Sequence, residues 1–144
     1  KFYLLKIDPT KDIIYNSKES VSFIGETASY IQYAHARICS ILKKVKNQKK
    51  VDTSLLDYPI EKDLFLMLSM FPEVVDDAAR SFKPNIIAGY LLDLSKAFNT
   101  FYDTIPVIQA EPKIRDARIG LIVAVKQVIK IGLSLLGISA ISRM

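Results

Sequence analysis

Apolar residues recur along most of this chain at the three- and four-residue steps of an amphipathic helix. The pattern is clearest in three long segments, which predict helices over residues 28–46, 84–102 and 113–136. Two shorter helices are predicted over residues 60–70 and 73–82, because Pro72 suits the first position of a helix and would separate them. The pattern therefore predicts an all-α fold, a helical bundle.

Capping residues mark several of the predicted helix ends. Thr27 fits an N-cap of the first long helix, and Gly137 fits a C-cap of the last. Ser17 can cap a further short helix that Gly25 ends. Asp8 precedes a proline, which would break a helix, and the short apolar piece before it, residues 1–6, is expected to belong to a preceding domain.

Composition limits the class of protein. The 144 residues suffice for one domain with a full core, and only five glycines with no tryptophan favour helices. The net charge of +5 suits a polyanionic partner, although an excess this small is common in proteins that bind no nucleic acid. Cys39 is the only cysteine, which excludes an internal disulfide and favours a reducing compartment. Lys126 and Lys130 interrupt the apolar run of residues 119–138, which predicts a buried amphipathic helix rather than a membrane span.

Tyr30, Tyr33 and Arg37 form one edge of the first long helix. Steps of three and seven residues place them within about 60° of one another around the axis. Two aromatic faces beside a guanidinium suit an unstacked nucleotide, since bases stack on such planes and phosphates take the guanidinium fork. Spacing alone favours the alternative, in which the tyrosines pack partly into the core and expose their hydroxyls.

No set of residues assembles a catalytic site by spacing. His35 is the only histidine, which excludes a histidine relay or a multi-histidine metal site. His35 and Cys39 share a helix face, but two ligands do not make a structural zinc site, so a packing or hydrogen-bonding pair is expected. Gly-rich phosphate loops are also missing from the sequence.

A series of segments in fixed order resembles the C-terminal anticodon-binding domain of arginyl-tRNA synthetases, the all-helical domain named for an Asp-Ala-Leu-Arg signature. The resemblance covers the chain from about Phe2 to Met144. The matching segments are residues 30–41 (YIQYAHARICSI), 71–75 (FPEVV), 83–85 (KPN), 90–99 (YLLDLSKAFN), 101–102 (FY), 106–107 (PV), 115–119 (RDARI), 124–130 (AVKQVIK), 132–133 (GL), 135–138 (LLGI) and 143–144 (RM).

This resemblance implies a site for RNA. In the family the anticodon is splayed open against aromatic and basic side chains and the terminal methionine. Matched motif by motif, the implied tRNA-binding positions are Tyr30, Tyr33, Arg37, Tyr102 and Met144. Further polar contacts could come from residues that are more simply read as solvated helix positions: Gln32, Lys44, Lys126 and Lys130. The segment around Arg118 is expected to pack as a helix with a surface arginine.

The resemblance also implies what this segment lacks. The His-Ile-Gly-His-like and Lys-Met-Ser-Lys-Ser-like motifs of class I synthetases are not in the sequence, so the segment alone should not activate arginine. ATP, Mg²⁺ and arginine would belong to a parent arginine–tRNA ligase, with no cofactor or metal held by residues 1–144. Residues 1–10 would be the tail of its catalytic domain, and Met144 its C-terminus.

The implied partners are the anticodon stem-loop of arginine tRNA and the parent's own catalytic domain, in the cytoplasm, with no membrane and no DNA. The alternative is a structural helical domain that packs on the catalytic core or on another partner without recognising RNA. The lysine run after Ile41 can be read either as a solvated tail or as phosphate contacts.

Overall fold

The computed structural model describes residues 1–12, 25–45 and 51–144. The short helix predicted after Ser17 and the end of the lysine run lie outside these residues. The α-helices in the described part are α1 (Phe2–Leu5), α2 (Ala28–Leu42), α3 (Pro59–Ser81), α4 (Pro84–Thr104) and α5 (Pro112–Leu135). A 3-10 turn, Thr53–Leu55, precedes α3, and none of these ranges contains a β-strand. The all-α prediction is confirmed.

Helices α4 and α5 form the centre of the bundle. They pack against each other, and α2 and α3 each pack against both. Apolar side chains from all four helices fill the space between them, the largest fully buried ones including Phe98, Phe101, Ile38, Leu64 and Ile122. None of the helices that the structure describes is long and apolar enough to cross a membrane.

Helix α2 begins where the sequence predicts. The Thr27 hydroxyl accepts a hydrogen bond from the backbone N–H of Tyr30 at 3.4 Å, which satisfies one of the free donors of the first turn. The helix ends at Leu42, one turn earlier than the predicted end near residue 46. The last long helix also matches its prediction, and Gly137 follows it with a φ of +64°, a conformation that suits glycine.

The predicted break at Pro72 is wrong, because α3 is one continuous helix with Pro72 inside it. An interior proline removes one backbone hydrogen bond and costs about 3 kcal/mol, which the packing of α3 must offset. Tyr90 of α4 supplies such a contact: its ring stacks on Phe71 with 5.6 Å between centroids, and its hydroxyl donates to the Met67 carbonyl at 2.8 Å. Burial raises the pKa of Tyr90 to about 12, which keeps that donor protonated.

The expectation of a surface arginine at Arg118 is also wrong. Only 4% of Arg118 is exposed, and its Nε donates to Oε1 of the fully buried Glu61 at 2.6 Å. A second donor of the guanidinium reaches the Pro106 carbonyl at 2.8 Å, while Oε2 of Glu61 accepts from the backbone N–H of Tyr58 at 2.9 Å. A buried charge is stable only when it is paired and hydrogen-bonded in this way. The pair joins the start of α3 to α5 and to the loop before α5.

The first residues pack onto the bundle. The Phe2 side chain is buried in the core, and the carboxylate of Asp8 accepts from Lys83 at 2.9 Å, just before α4 begins. That hydrogen bond, with further donors from Thr10, holds the pKa of Asp8 well below its usual range. The assignment of residues 1–10 to the tail of a preceding catalytic domain stays a prediction.

Candidate nucleic-acid interface

Arg37 of α2 reaches across to the last turns of α4. One terminal nitrogen of its guanidinium donates to Oδ1 of Asn99 at 3.1 Å, and the other donates to Oδ1 of Asp103 at 2.5 Å. The guanidinium carbon lies 4.7 Å from the centroid of the Tyr102 ring, a cation–π distance. The side chain of Arg37 is 26% exposed. Its plane is therefore fixed from α4 while part of it stays open to solvent.

Asn99 joins two of the predicted site residues. Its Oδ1 accepts from Arg37, and its Nδ2 donates to the hydroxyl oxygen of Tyr30 at 3.1 Å. An amide offers an acceptor and donors on one rigid plane, so Asn99 can serve both partners at once. The Tyr30 hydroxyl keeps its own proton for a further acceptor. Tyr30, Arg37 and Tyr102 thus lie together in one side-chain cluster, which we call the Arg37 cluster together with Asn99 and Asp103.

Tyr33 lies beside the Arg37 cluster on α2. It is three residues after Tyr30 and four before Arg37, so it occupies the same edge of the helix. Half of its surface is exposed, which leaves a ring face available for stacking. Tyr102 differs from it, because its ring is half-buried and stacks on Phe98 with 6.1 Å between centroids. Tyr33 therefore offers a free aromatic ring beside the Arg37 cluster, while the ring of Tyr102 within the cluster is held against the core.

An ion pair fixes the chain where it enters α2. The ammonium of Lys96 on α4 donates to Oε1 of Glu26 at 3.0 Å. This hydrogen bond lowers the pKa of Glu26 and raises the pKa of Lys96. The pair lies one turn before Asn99 on α4 and just before Tyr30 on α2. It therefore helps to set the spacing of the two helices at the cluster.

The last residues of the chain lie along α2. Nε2 of Gln32 donates to the Ser139 carbonyl at 2.8 Å, and Nδ1 of His35 lies 2.8 Å from the Ile141 carbonyl oxygen. Met144 follows three residues later and is 60% exposed. Gln32 is thus a tail contact rather than a free polar residue. The structure places the end of the chain at α2, but it does not bring Met144 into the Arg37 cluster.

His35 and Cys39 form the hydrogen-bonding pair that the sequence suggests. The Cys39 sulfur lies 3.8 Å from Nδ1 of His35, which also faces the Ile141 carbonyl. Across residues 1–12, 25–45 and 51–144, no three His, Cys, Asp or Glu side chains lie close enough to hold a metal ion. The lysines considered for phosphate contacts lie on the surface or near it: Lys44 and Lys130 are exposed and Lys126 is half-buried.

Sequence reasoning did not identify Asn99 or Asp103 as site residues. Both were visible as polar positions four apart on one helix face, with Tyr102 beside Asp103. That spacing indicates a shared face, but it cannot say which side chain of another helix the face meets. The partner, Arg37, became apparent only from the packing of α2 on α4.

Comparison with known proteins gives one consistent family. A family model described as the DALR anticodon binding domain matches residues 31–144. The chain is 45% identical over 150 residues to the arginine–tRNA ligase of Pyrococcus abyssi, covering 100% of this chain and 24% of that protein. It is 41% identical over 145 residues to the ligase of Flavobacterium psychrophilum, with the same two coverages.

Solved structures agree with the sequence matches. The Thermus thermophilus arginyl-tRNA synthetase superposes with a TM-score of 0.92 and 37% identity, covering 99% of this chain and 25% of that one. The Plasmodium falciparum arginyl-tRNA synthetase gives a TM-score of 0.88 and 25% identity, covering 99% and 26%. The chain spans about a quarter of the length of the relatives it matches.

Proposed function

This chain belongs to the DALR anticodon-binding domain family, and we propose that it binds the anticodon stem-loop of arginine tRNA. The residues proposed for this contact are Tyr30, Tyr33, Arg37, Tyr102 and Met144. The observation that carries the proposal is the Arg37 cluster, in which a guanidinium and two tyrosines from different helices are fixed at one surface. Recognition, rather than catalysis, is the chemistry such a surface can perform.

Tyr33 and the residues of the Arg37 cluster have distinct roles in this proposal. The exposed ring of Tyr33 stacks on an unpaired base, a contact worth about 1–3 kcal/mol per base. Arg37 uses its remaining N–H donors for a base edge or a phosphate. Because Asn99 and Asp103 already hold the guanidinium, little side-chain entropy is lost when RNA binds. Tyr30 and Tyr102 line the site next to Arg37.

The parent protein is proposed to be an arginine–tRNA ligase, since its relatives carry that name over their full length. ATP, Mg²⁺ and arginine would bind outside the segment described here. We also propose that the parent acts in the cytoplasm.

The catalytic domain is the second proposed partner of this domain. Exposed apolar residues of α3 suit packing against it: Phe65, Leu66 and Met70. This packing is compatible with RNA binding, so it is a second function of the domain and not a replacement for the first.

Binding of a radiolabelled anticodon stem-loop of arginine tRNA tests the proposal. Arg37→Ala removes charge-assisted hydrogen bonds worth about 1.5–3 kcal/mol, so affinity should fall by roughly 10- to 150-fold. Arg80→Ala is the matched control, because Arg80 is an exposed α3 arginine that pairs with Asp76 four residues before it. A stem-loop with substituted anticodon bases is the control on the RNA side.

The salt dependence provides a second readout. If Arg37 contacts a phosphate, Arg37→Ala should also reduce the slope of log affinity against log salt by about 0.7, the value for one single-strand contact. Equal affinity of the wild type and Arg37→Ala would refute the proposed interface. Equal affinity for the native and substituted anticodons would refute anticodon recognition.

A further inference from the structure

Two side chains of α2 hold the end of the chain against the bundle. The amide of Gln32 donates to the carbonyl of Ser139, and the ring of His35 contacts the carbonyl of Ile141, each at 2.8 Å. These carbonyls belong to alternate residues, and the two α2 residues are one turn apart. The tail therefore runs along α2 in the direction of the helix, attached at two successive points.

The environment of His35 indicates that the tail contact is its function. A carbonyl oxygen only accepts hydrogen bonds, so Nδ1 of His35 must carry the proton that it donates to Ile141. The other ring nitrogen, Nε2, is buried without a hydrogen-bond partner. An unsatisfied buried polar atom is destabilising, and an apolar side chain would fill this position without that cost. The hydrogen bond from Nδ1 to the Ile141 carbonyl offsets the cost of the unsatisfied Nε2.

The tail attachment lies on the far side of α2 from the Arg37 cluster. At 100° per residue, Gln32 and His35 are centred about 160° from the edge formed by Tyr30, Tyr33 and Arg37. Ala36 lies between Gln32 and Tyr33, on the face opposite the core, yet only 4% of it is exposed. A small side chain on an outer helix face is covered this fully when another segment crosses it.

Chain length limits where Met144 can go. Three residues separate it from the attachment at Ile141, and a fully extended chain of that length spans about 10 Å. A helix with its side chains is about 10–12 Å across. Met144 is therefore confined to within about 10 Å of the attachment at Ile141, close to the surface of α2.

We infer that Gln32 and His35 are positioning residues, which anchor the tail on α2 so that Met144 is held close to the helix that carries Tyr30, Tyr33 and Arg37. The anchoring itself depends only on the contacts within this chain. The second half of the inference, that anchoring assists RNA binding, rests on the proposed function.

Methyl NMR of the methionines tests the anchoring. The chain has three methionines, and Met144→Leu identifies the Met144 signal by its loss. Gln32→Met removes the amide donor from a half-exposed side chain, and we expect it to lower the methyl order parameter of Met144 by at least a third relative to the wild type. Gln127→Met is the matched control, since Gln127 is exposed on α5. It should leave the Met144 signal unchanged.

His35 is tested with a conservative pair. His35→Leu removes the donor and should loosen Met144 as Gln32→Met does. Asparagine places an N–H donor close to the position of Nδ1, so His35→Asn should restore most of the order that His35→Leu loses. A Met144 signal that stays as ordered in Gln32→Met as in the control would overturn the anchoring, whether or not the buried His35 variants fold.

Binding of the anticodon stem-loop tests whether the anchoring of the tail assists RNA binding. Gln32→Met should weaken the wild-type affinity about 3- to 10-fold and should have no effect in a Met144→Ala background, because the two changes act through one contact. Loosening of Met144 without loss of affinity would overturn the positioning role. If the wild type bound no stem-loop, the proposed function would fail, and the methyl signals would still decide whether Gln32 and His35 anchor the tail.

Discussion

The guanidinium carbon of Arg37 lies 4.7 Å from the centroid of the Tyr102 ring, although the two residues come from different helices. Asn99 and Asp103, one turn apart on α4, hold Arg37 in that position from one side. The aromatic ring is in turn held by Phe98, which is fully buried. The orientation of Arg37 is therefore set by the core of the bundle.

Asn99→Ala should affect RNA binding more than folding. It removes the hydrogen bonds to Arg37 and Tyr30 together, so both side chains become free to reorient, and we expect affinity for the anticodon stem-loop to fall about 10-fold. The free energy of unfolding should fall by about 1 kcal/mol per lost hydrogen bond at most. Thr100→Ala is the control, because Thr100 is an exposed neighbour whose hydroxyl donates to the Lys96 carbonyl within α4. Equal effects of the two variants on affinity would contradict the role given to Asn99.

Tyr33→Ala should weaken stem-loop binding by roughly 5- to 150-fold, the equivalent of about 1–3 kcal/mol for one stacked base. Tyr33→Phe should retain most of the affinity, because stacking needs the ring and not the hydroxyl. Since half of Tyr33 is exposed, the urea midpoint should change little. Phe65→Ala removes an equally exposed ring from α3 and should leave affinity unchanged. A large loss with Tyr33→Phe would show that the hydroxyl, rather than the ring, carries the contact.

Arg118→Met should destabilise the bundle by about 3–5 kcal/mol, because it leaves the fully buried carboxylate of Glu61 without its partner. The double variant Glu61→Leu with Arg118→Met should recover much of this loss, since it removes both charges. Urea unfolding measures the three free energies. Arg80→Met, which breaks an exposed pair with Asp76, should change stability by less than about 1 kcal/mol. A double variant less stable than Arg118→Met would contradict this account.

Acid should remove the stabilisation that Asp8 provides. The hydrogen bond from Lys83 holds the pKa of Asp8 below its usual value of 3.8, so the unfolded chain binds this proton more readily than the folded chain. The contribution is complete at neutral pH and is lost as pH falls below 3.8 through the folded-state pKa. Asp8→Asn should therefore lower the urea midpoint at pH 7, and the difference from the wild type should shrink between pH 4 and pH 2. Asp77→Asn, an exposed carboxylate on α3, is the control. A difference that stays constant with pH would contradict the pairing with Lys83.

Pro72→Ala should stabilise the protein. Residue 72 is exposed inside a continuous helix, so alanine restores a backbone N–H and removes a steric clash worth about 3 kcal/mol, partly offset by the greater freedom of the unfolded chain. We expect the free energy of unfolding to rise by about 1–2 kcal/mol, measured by urea denaturation. A loss of stability would instead support a helix that starts at Pro72, where proline is favourable.

Local patterns predicted the helices because the signals that form them are local. The apolar repeats of α2, α4 and α5, the cap at Thr27 and the glycine after α5 gave their positions to within a turn. The break predicted at Pro72 failed because the rule for proline considers one helix alone. The contacts that Tyr90, on another helix, makes with Phe71 and Met67 stabilise α3 just before that position.

The candidate site was likewise predicted in part from the sequence and decided in part by the packing of the helices. By itself the sequence determined the helical fold and, through ordered motifs, the family and the residues proposed to meet RNA. Only the tertiary structure decided that Arg37 is held by Asn99 and Asp103, that Arg118 is buried against Glu61, and that Gln32 and His35 contact the tail. These contacts join residues far apart in the chain. Periodicity fixes the face of a helix on which a residue lies, but only packing fixes what that face meets.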